Sequence, residues 1–197
     1  MTTAKTAAAN NKRVDILRAA LQLFSERGFS GTTVPEIAVQ AKVGAGTIYR
    51  YFASKDELVN VLFQECMRDL AEALKLDEGQ AAAAVRDRFR YFVTSMFRFA
   101  LQKERVLAFI DAHSGAEVLD SESRRCFEDF LDVIRSVLDE GKAKGEIAPL
   151  PSDALIAIVY GSIVKLVHAM KSGKVETSPE LIADAELCCW NAIRARQ

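Results

Sequence analysis

Thr33–Lys55 reads TVPEIAVQAKVGAGTIYRYFASK, and the placing of its polar, small and apolar residues decides the fold. Thr33 and Glu36 stand at capping-box spacing, so the threonine oxygen serves the backbone N–H three residues on. Pro35 falls in the first turn, where its missing N–H costs little. The pattern predicts a helix to about Ala41, with Ile37, Ala38 and Ala41 on one face. Lys42-Val43-Gly44 is the turn. A second helix is predicted from about Ala45 to Phe52, with Ile48 and Phe52 four apart on its inner face. Thr47, Arg50, Tyr51 and nearby Tyr49 are left outside. A helix this short does not stand alone. It is an arm of side chains held out by its neighbours, as in a helix-turn-helix recognition helix.

Upstream, Val14, Leu17, Leu21 and Phe24 form an apolar stripe at helical spacing, predicting a helix from about Asn11 to Arg27. Gly28 ends it as a C′ residue, and Phe29 folds back onto the core. Met1–Asn11 reads as a disordered arm whose Lys5, with Lys12, has at most a minor role. Downstream, Ser54 and Glu57 form a second capping box, and a helix of some twenty residues is expected from Lys55 to Leu74. That is longer than a three-helix head needs, so its far half belongs to a second body. The expected division is an arm over 1–11, a helix-turn-helix domain over 12–57 with its motif at 33–52, and a body over 58–197.

In the body, Asp77–Gln80 reads as a turn before a helix over Ala81–Gln102. Helices follow at Glu104–Ala112, at Ser121–Lys144 with Phe127, Phe130, Leu131, Ile134, Val137 and Leu138 inward, and at Asp153–Lys171 behind a Ser152 cap. Ser178-Pro179 opens a last one to about Ala195. No strand pattern appears. The expected fold is all-α, with about nine helices.

Composition narrows the function. The net charge is −1, but residues 1–55 hold eight basic and three acidic groups, giving +5, and the remainder carries −6. A basic head on an acidic body fits a partner with phosphates. No apolar run reaches the ~18 residues that span a bilayer, and residues 1–11 lack a signal's apolar core, so a cytoplasmic protein with no membrane partner is expected. Cys66, Cys126, Cys188 and Cys189 form no C-x-x-C pair and read as small core residues. His113 and His168 lie far apart, and no nucleophile elbow, metal-ligand spacing or phosphate loop is present. No enzyme, metal or cofactor is expected.

Thr33-Val34, Ile37-Ala38, Val43, Gly46-Thr47-Ile48-Tyr49, Tyr51-Phe52 and Ser54-Lys55-Asp56-Glu57-Leu58, with Ala19-Ala20, Leu23-Phe24 and Gly28-Phe29 upstream, resemble the TetR family of bacterial transcriptional regulators. The match covers about residues 11–70. Two positions depart from the family pattern: Lys42 stands where glycine is usual, and Gly44 where serine or threonine is common. The resemblance implies a duplex DNA operator, with Thr33, Tyr49, Tyr51 and Lys55 on phosphates and Ala45, Gly46, Thr47 and Arg50 facing base edges. Among these, Arg50 has the fork that reads guanine O6 and N7. The alternative for Tyr49 and Tyr51 is packing inside the head.

Phe92, Met96, Phe99, Phe109, Phe127, Phe130 and Tyr160 either fill the core or line a cavity, and periodicity does not separate the two. The resemblance favours a pocket for a small, largely apolar effector, with His113 and Tyr160 as orienting groups and Met67 on the long helix as the lever. The last two helices carry more apolar surface than one chain covers. They predict a homodimer through Leu155, Val159, Ile163, Leu166, Leu181, Ala185, Cys188 and Trp190. A repressor released by its effector is expected. The alternatives are a helical protein-interaction module and a regulator that is constitutive or switched by a thiol.

Overall fold

A computed structural model describes residues 2–196, with side chains from residue 11 onward. The described residues form ten helices. They are α1 (Thr2–Arg27), α2 (Val34–Gln40), α3 (Ala45–Ile48), α4 (Lys55–Leu74), α5 (Glu78–Ala81), α6 (Val85–Gln102), α7 (Glu104–His113), α8 (Ser121–Ala143), α9 (Ser152–Lys171) and α10 (Pro179–Ile193). The all-helical class stands, with one short helix more than expected.

That extra helix is α5. Asp77 caps it and Gln80 answers from the third position, each side chain bonded to the other residue's backbone N–H. The D-x-x-Q spacing was in the sequence, but Gly79 made the segment look like a plain turn. The N-terminus differs too, since α1 begins at Thr2 instead of following a disordered arm. Four alanines, with no proline or glycine between Thr2 and Asn11, favour helix there. Ser152 does not cap α9. Its hydroxyl donates to Asp139 Oδ1 and accepts from Lys142 Nζ. The expectation that no segment reaches membrane-spanning length is corrected as well: by length and composition α9 is apolar enough. Lys165 interrupts its apolar run without removing its excess.

The chain divides into two compact units, Met1–Arg68 with Arg105–Phe127, and Asp69–Glu104 with Glu128–Gln197. The first is built on Phe24, Phe52, Phe63 and Phe109, with Ile16, Ile37, Ile48 and Leu58, all withdrawn from solvent. Its rings touch in series. Phe24 stacks on Phe29 and on Phe109, Phe109 lies against His113, and Phe63 meets both Phe109 and Phe127. Asn60 ties the two chain segments of this unit together. Its Nδ2 donates to the carbonyls of Asp56 and Val118, and its Oδ1 accepts from the Asp120 N–H. A buried amide with three bonds satisfied stabilises the site it occupies and discriminates against other packings.

In the second unit α6 lies against both α9 and α10. Val85, Phe89, Phe92, Val93, Met96, Phe97 and Phe99 of α6 are buried. Arg86 grips Glu186 with both arms, at 2.6 and 2.9 Å, and Trp190 lies against Phe89 under the Arg86 guanidinium. On α8 only Val137 and Leu138 of the six residues expected inward are buried; Phe127, Phe130, Leu131 and Ile134 are half-buried.

Candidate DNA-binding surface

Local chemistry sets the recognition motif. Thr33 Oγ1 accepts from the Glu36 N–H and donates to Glu36 Oε2, which also takes the Thr33 N–H, so the expected capping box is formed. These bonds come first in holding the Glu36 carboxyl below its usual range, with Arg27 and Lys55 adding to them. Val34, Ile37 and Ala38 seat α2 on the core. The chain then turns at Lys42, whose φ is +56°. Only glycine adopts that conformation without cost, so Lys42 stores roughly 1 kcal/mol. The turn closes with the Val43 N–H on the Ala38 carbonyl, the long bond of a Schellman cap. Gly44 is the N-cap of α3 and offers no side-chain bond.

Regular helix in α3 ends at Ile48, short of the expected Phe52. The chain continues in tight turns, with the Arg50 N–H on Thr47 and the Tyr51 N–H on Ile48. Three-residue bonds tighten the last turn of a short helix and let Ile48 and Phe52 both reach the core. Ala45, Gly46, Tyr49 and Arg50 are exposed, while Thr47 and Tyr51 are half-buried. Tyr49 is 56% exposed, which excludes the alternative of an inward ring. A Cβ built at Gly46 meets nothing within 4 Å. Its lack of bulk therefore serves nothing inside the protein. Val39, at the end of α2, is 79% exposed, a surface feature that no periodicity marks.

Ser54 caps α4 by accepting the Glu57 N–H, and the Glu57 carboxylate accepts the Ala53 N–H. Lys55, the first residue of α4, is half-buried with its Nζ 3.9 Å from the centre of the Phe29 ring. Arg13 spans α1 and α4, over the Phe52 ring and 2.8 Å from Glu65.

The nine expected pocket residues divide between the two units. Met67, Phe109, His113 and Phe127 belong to the first unit, and Phe92, Met96, Phe99, Phe130 and Tyr160 to the second. Phe109 and His113 are core residues against Phe24. The His113 Nδ1 bonds to the Phe109 carbonyl at 2.8 Å, and burial pulls its pKa below the usual imidazole value. In the second unit the Ser95 hydroxyl is buried with no hydrogen-bond partner among the described residues, a group that sequence reading passed over.

The expected dimer residues also divide. Leu155 and Ile163 are buried inside the protomer, which corrects their assignment to an outward face, because their side of α9 meets α6. Trp190 is half-buried on Phe89 and Arg86. Val159, Leu166, Leu181 and Ala185 are half-buried, and Cys188 is exposed. The outward apolar side chains are Ile158 and Leu187, at 46% and 49% exposure. Of the cysteines, Cys66 and Cys189 are core residues as expected, whereas Cys126 is half-buried and Cys188 exposed. Burial pushes the Cys189 thiol pKa up, with Ser162 Oγ 3.4 Å away.

Comparison with known proteins agrees with this architecture. Residues 16–62 match the bacterial regulatory proteins of the tetR family, and residues 63–195 match the tetracyclin repressor-like C-terminal domain. The chain belongs to the TetR family of bacterial transcriptional regulators, and it is a DNA-binding transcription factor. It is 28% identical over 180 residues to the HTH-type transcriptional repressor NicS of Pseudomonas putida, covering 89% of this chain and 83% of that one. Over 139 residues it is 28% identical to the fatty acid metabolism regulator protein of Bacillus subtilis, covering 69% of this chain and 71% of the relative. A solved TetR family transcription regulator from Marinobacter aquaeolei superposes with a TM-score of 0.85 at 25% identity, covering 97% of this chain and all of the other.

Proposed function

We propose that the chain is a repressor that binds an inverted-repeat operator as a homodimer and leaves it when a small, largely apolar effector occupies the second unit. One observation carries the DNA reading: α3 exposes Arg50 and Tyr49 beside Ala45 and Gly46, two positions with no bulk. Such a tip enters a major groove, with small residues allowing close approach. Arg50 and Thr47 read base edges. Tyr49, Tyr51 and Lys55 bind phosphates at the groove rim. Thr33 joins them only if its hydroxyl proton leaves Glu36 Oε2, so its phosphate bond competes with its own cap.

The outward Ile158 and Leu187 support pairing of α9 and α10 with a second copy across a two-fold axis. Two recognition tips then stand about 34 Å apart, one helical turn of DNA. For the effector, the buried and half-buried Phe92, Met96, Phe99, Phe130 and Tyr160 supply apolar surface, and the unpartnered Ser95 hydroxyl supplies an orienting group. A relative named for fatty acid metabolism fits an apolar ligand.

The test is selection from a random duplex library by the purified protein. An inverted repeat should emerge, with half-sites about 10 base pairs apart, and affinity should fall linearly with log salt. Selection of no sequence, with affinity indifferent to salt, would leave only the interaction-module alternative. Hydrophobic compounds that raise the thermal midpoint and weaken operator binding would identify the effector class, and Ser95→Ala should reduce that response.

A further inference from the structure

We infer that Phe29 is a positioning residue for DNA-backbone binding: its ring holds the Lys55 ammonium where a phosphate meets it. This rests on the reading of Lys55 as a phosphate contact. Lys55 opens a 20-residue helix. A cation is disfavoured there, because the helix N-terminus carries partial positive charge of its own. Among the described residues no carboxylate lies within ion-pair distance of its Nζ, although the more distant Glu36 feels its charge. A lysine so placed is expected to swing into water. Instead its stem is half-buried and its Nζ sits 3.9 Å from the Phe29 ring centre. The negative face of the ring supplies what the helix end denies.

The ring is itself fixed. Gly28, at φ +70°, ends α1 and redirects the chain. Thr32 Oγ1 donates to the carbonyls of Leu23 and Gly28, closing the loop that carries Phe29. Behind it stands Phe24, stacked at 6.0 Å between centres and wholly buried. The platform is thus anchored in the core of the first unit, and the ammonium needs no reorganisation when a phosphate arrives. Pre-ordering of this kind lowers the entropic cost of the contact.

The phosphate term is independent of sequence, so a mixed-sequence duplex serves as probe. Its affinity is measured against salt for the parent, Phe29→Leu, Lys55→Gln, the double variant and Phe29→Tyr, with thermal unfolding recorded for each. Lys55→Gln should weaken binding and flatten the salt slope by about one unit. Phe29→Leu should weaken it about two- to fivefold, and should change nothing further once Lys55 is glutamine. Phe29→Tyr keeps a ring and should bind as the parent does. Equal losses from Phe29→Leu with and without Lys55 would overturn the inference. So would a Phe29→Leu variant that binds like the parent while Lys55→Gln does not. If Lys55→Gln alone has no effect, the phosphate role of Lys55 falls, and the inference with it. Should Phe29→Leu fail to fold, Phe29→Met retains the bulk without the ring and carries the same comparison.

Discussion

In the first unit α3 and the turn after it expose Tyr49 and Arg50 beside Ala45 and Gly46. In the second, Ile158, Leu187 and Cys188 of α9 and α10 are exposed, with Val133 of α8 and Leu150 exposed as well. The chemistry of these two exposed surfaces differs. Hydroxyls and a guanidinium around small residues suit a polyanion with edges to read. Branched aliphatic side chains suit a like surface on another protein. The charge division, +5 over residues 1–55 and −6 over the rest, runs the same way.

The largest effect that tests this contrast lies in the second unit. Ile158→Asp with Leu187→Asp should give folded monomers in sedimentation and lower operator affinity by about 10²–10⁴-fold, the scale of lost bivalency. Ile163→Asp should unfold the protein instead, because Ile163 is interior. If the outward pair leaves a dimer, α9 and α10 are not the interface. Next comes the DNA tip. Arg50→Ala should weaken the preferred operator by roughly 1–3 kcal/mol and blur selectivity at one base pair, read by titration against single-base variants. An unchanged affinity would remove Arg50 from the readout.

A pH prediction separates interior from surface in the first unit. Burial favours neutral His113 and holds its pKa below the usual imidazole value. The unfolded chain takes up a proton there before the folded chain does, so this contribution is full above the unfolded pKa and is lost as pH falls below it. Denaturant midpoints of the parent should drop on acidification below about pH 6.5, and His113→Phe should flatten that drop. The smallest effects are local. Lys42→Gly should raise stability by about 1 kcal/mol in denaturant titration, because φ +56° then costs nothing. Gly46→Ala should also stabilise, by roughly 0.5–1 kcal/mol, while weakening operator binding if α3 presses into a groove.

What was legible in the sequence was local. The Thr33–Glu36 capping box, the Ser54 cap of α4, the glycine that ends α1, the departure at Lys42 and the Ser178-Pro179 opening of α10 each act within a few residues and stand where expected, although Glu57 answers on the Ala53 N–H and not on that of Ser54. The outward face of α9 was not legible. A helix apolar nearly all round has no periodicity to mark its inner side, so Leu155 and Ile158 look alike until α6 is seen against one of them. The division of the pocket set between the two units was hidden for a related reason. Aromatic residues in a body segment say that a core exists, but not which core, and Phe109 and His113 turned out to serve the first unit with Phe24. Ser95 was hidden because a helical serine usually bonds its own backbone.

The first unit is assembled from two stretches of chain, and that fixes when it can form. Asn60 waits for Val118, 58 residues later, and Phe24 waits for Phe109. At ribosomal speeds the first of these delays alone lasts about 3–12 s. During that interval α1 to α4 exist without the rings and the amide partners that hold them. Gene truncations that stop before Phe127 should therefore yield a helix-turn-helix sequence without a stable helix-turn-helix, prone to proteolysis despite containing every residue expected to touch DNA. On this timing the nascent chain should engage DNA only after its second stretch has emerged, so translation itself sets when DNA binding begins.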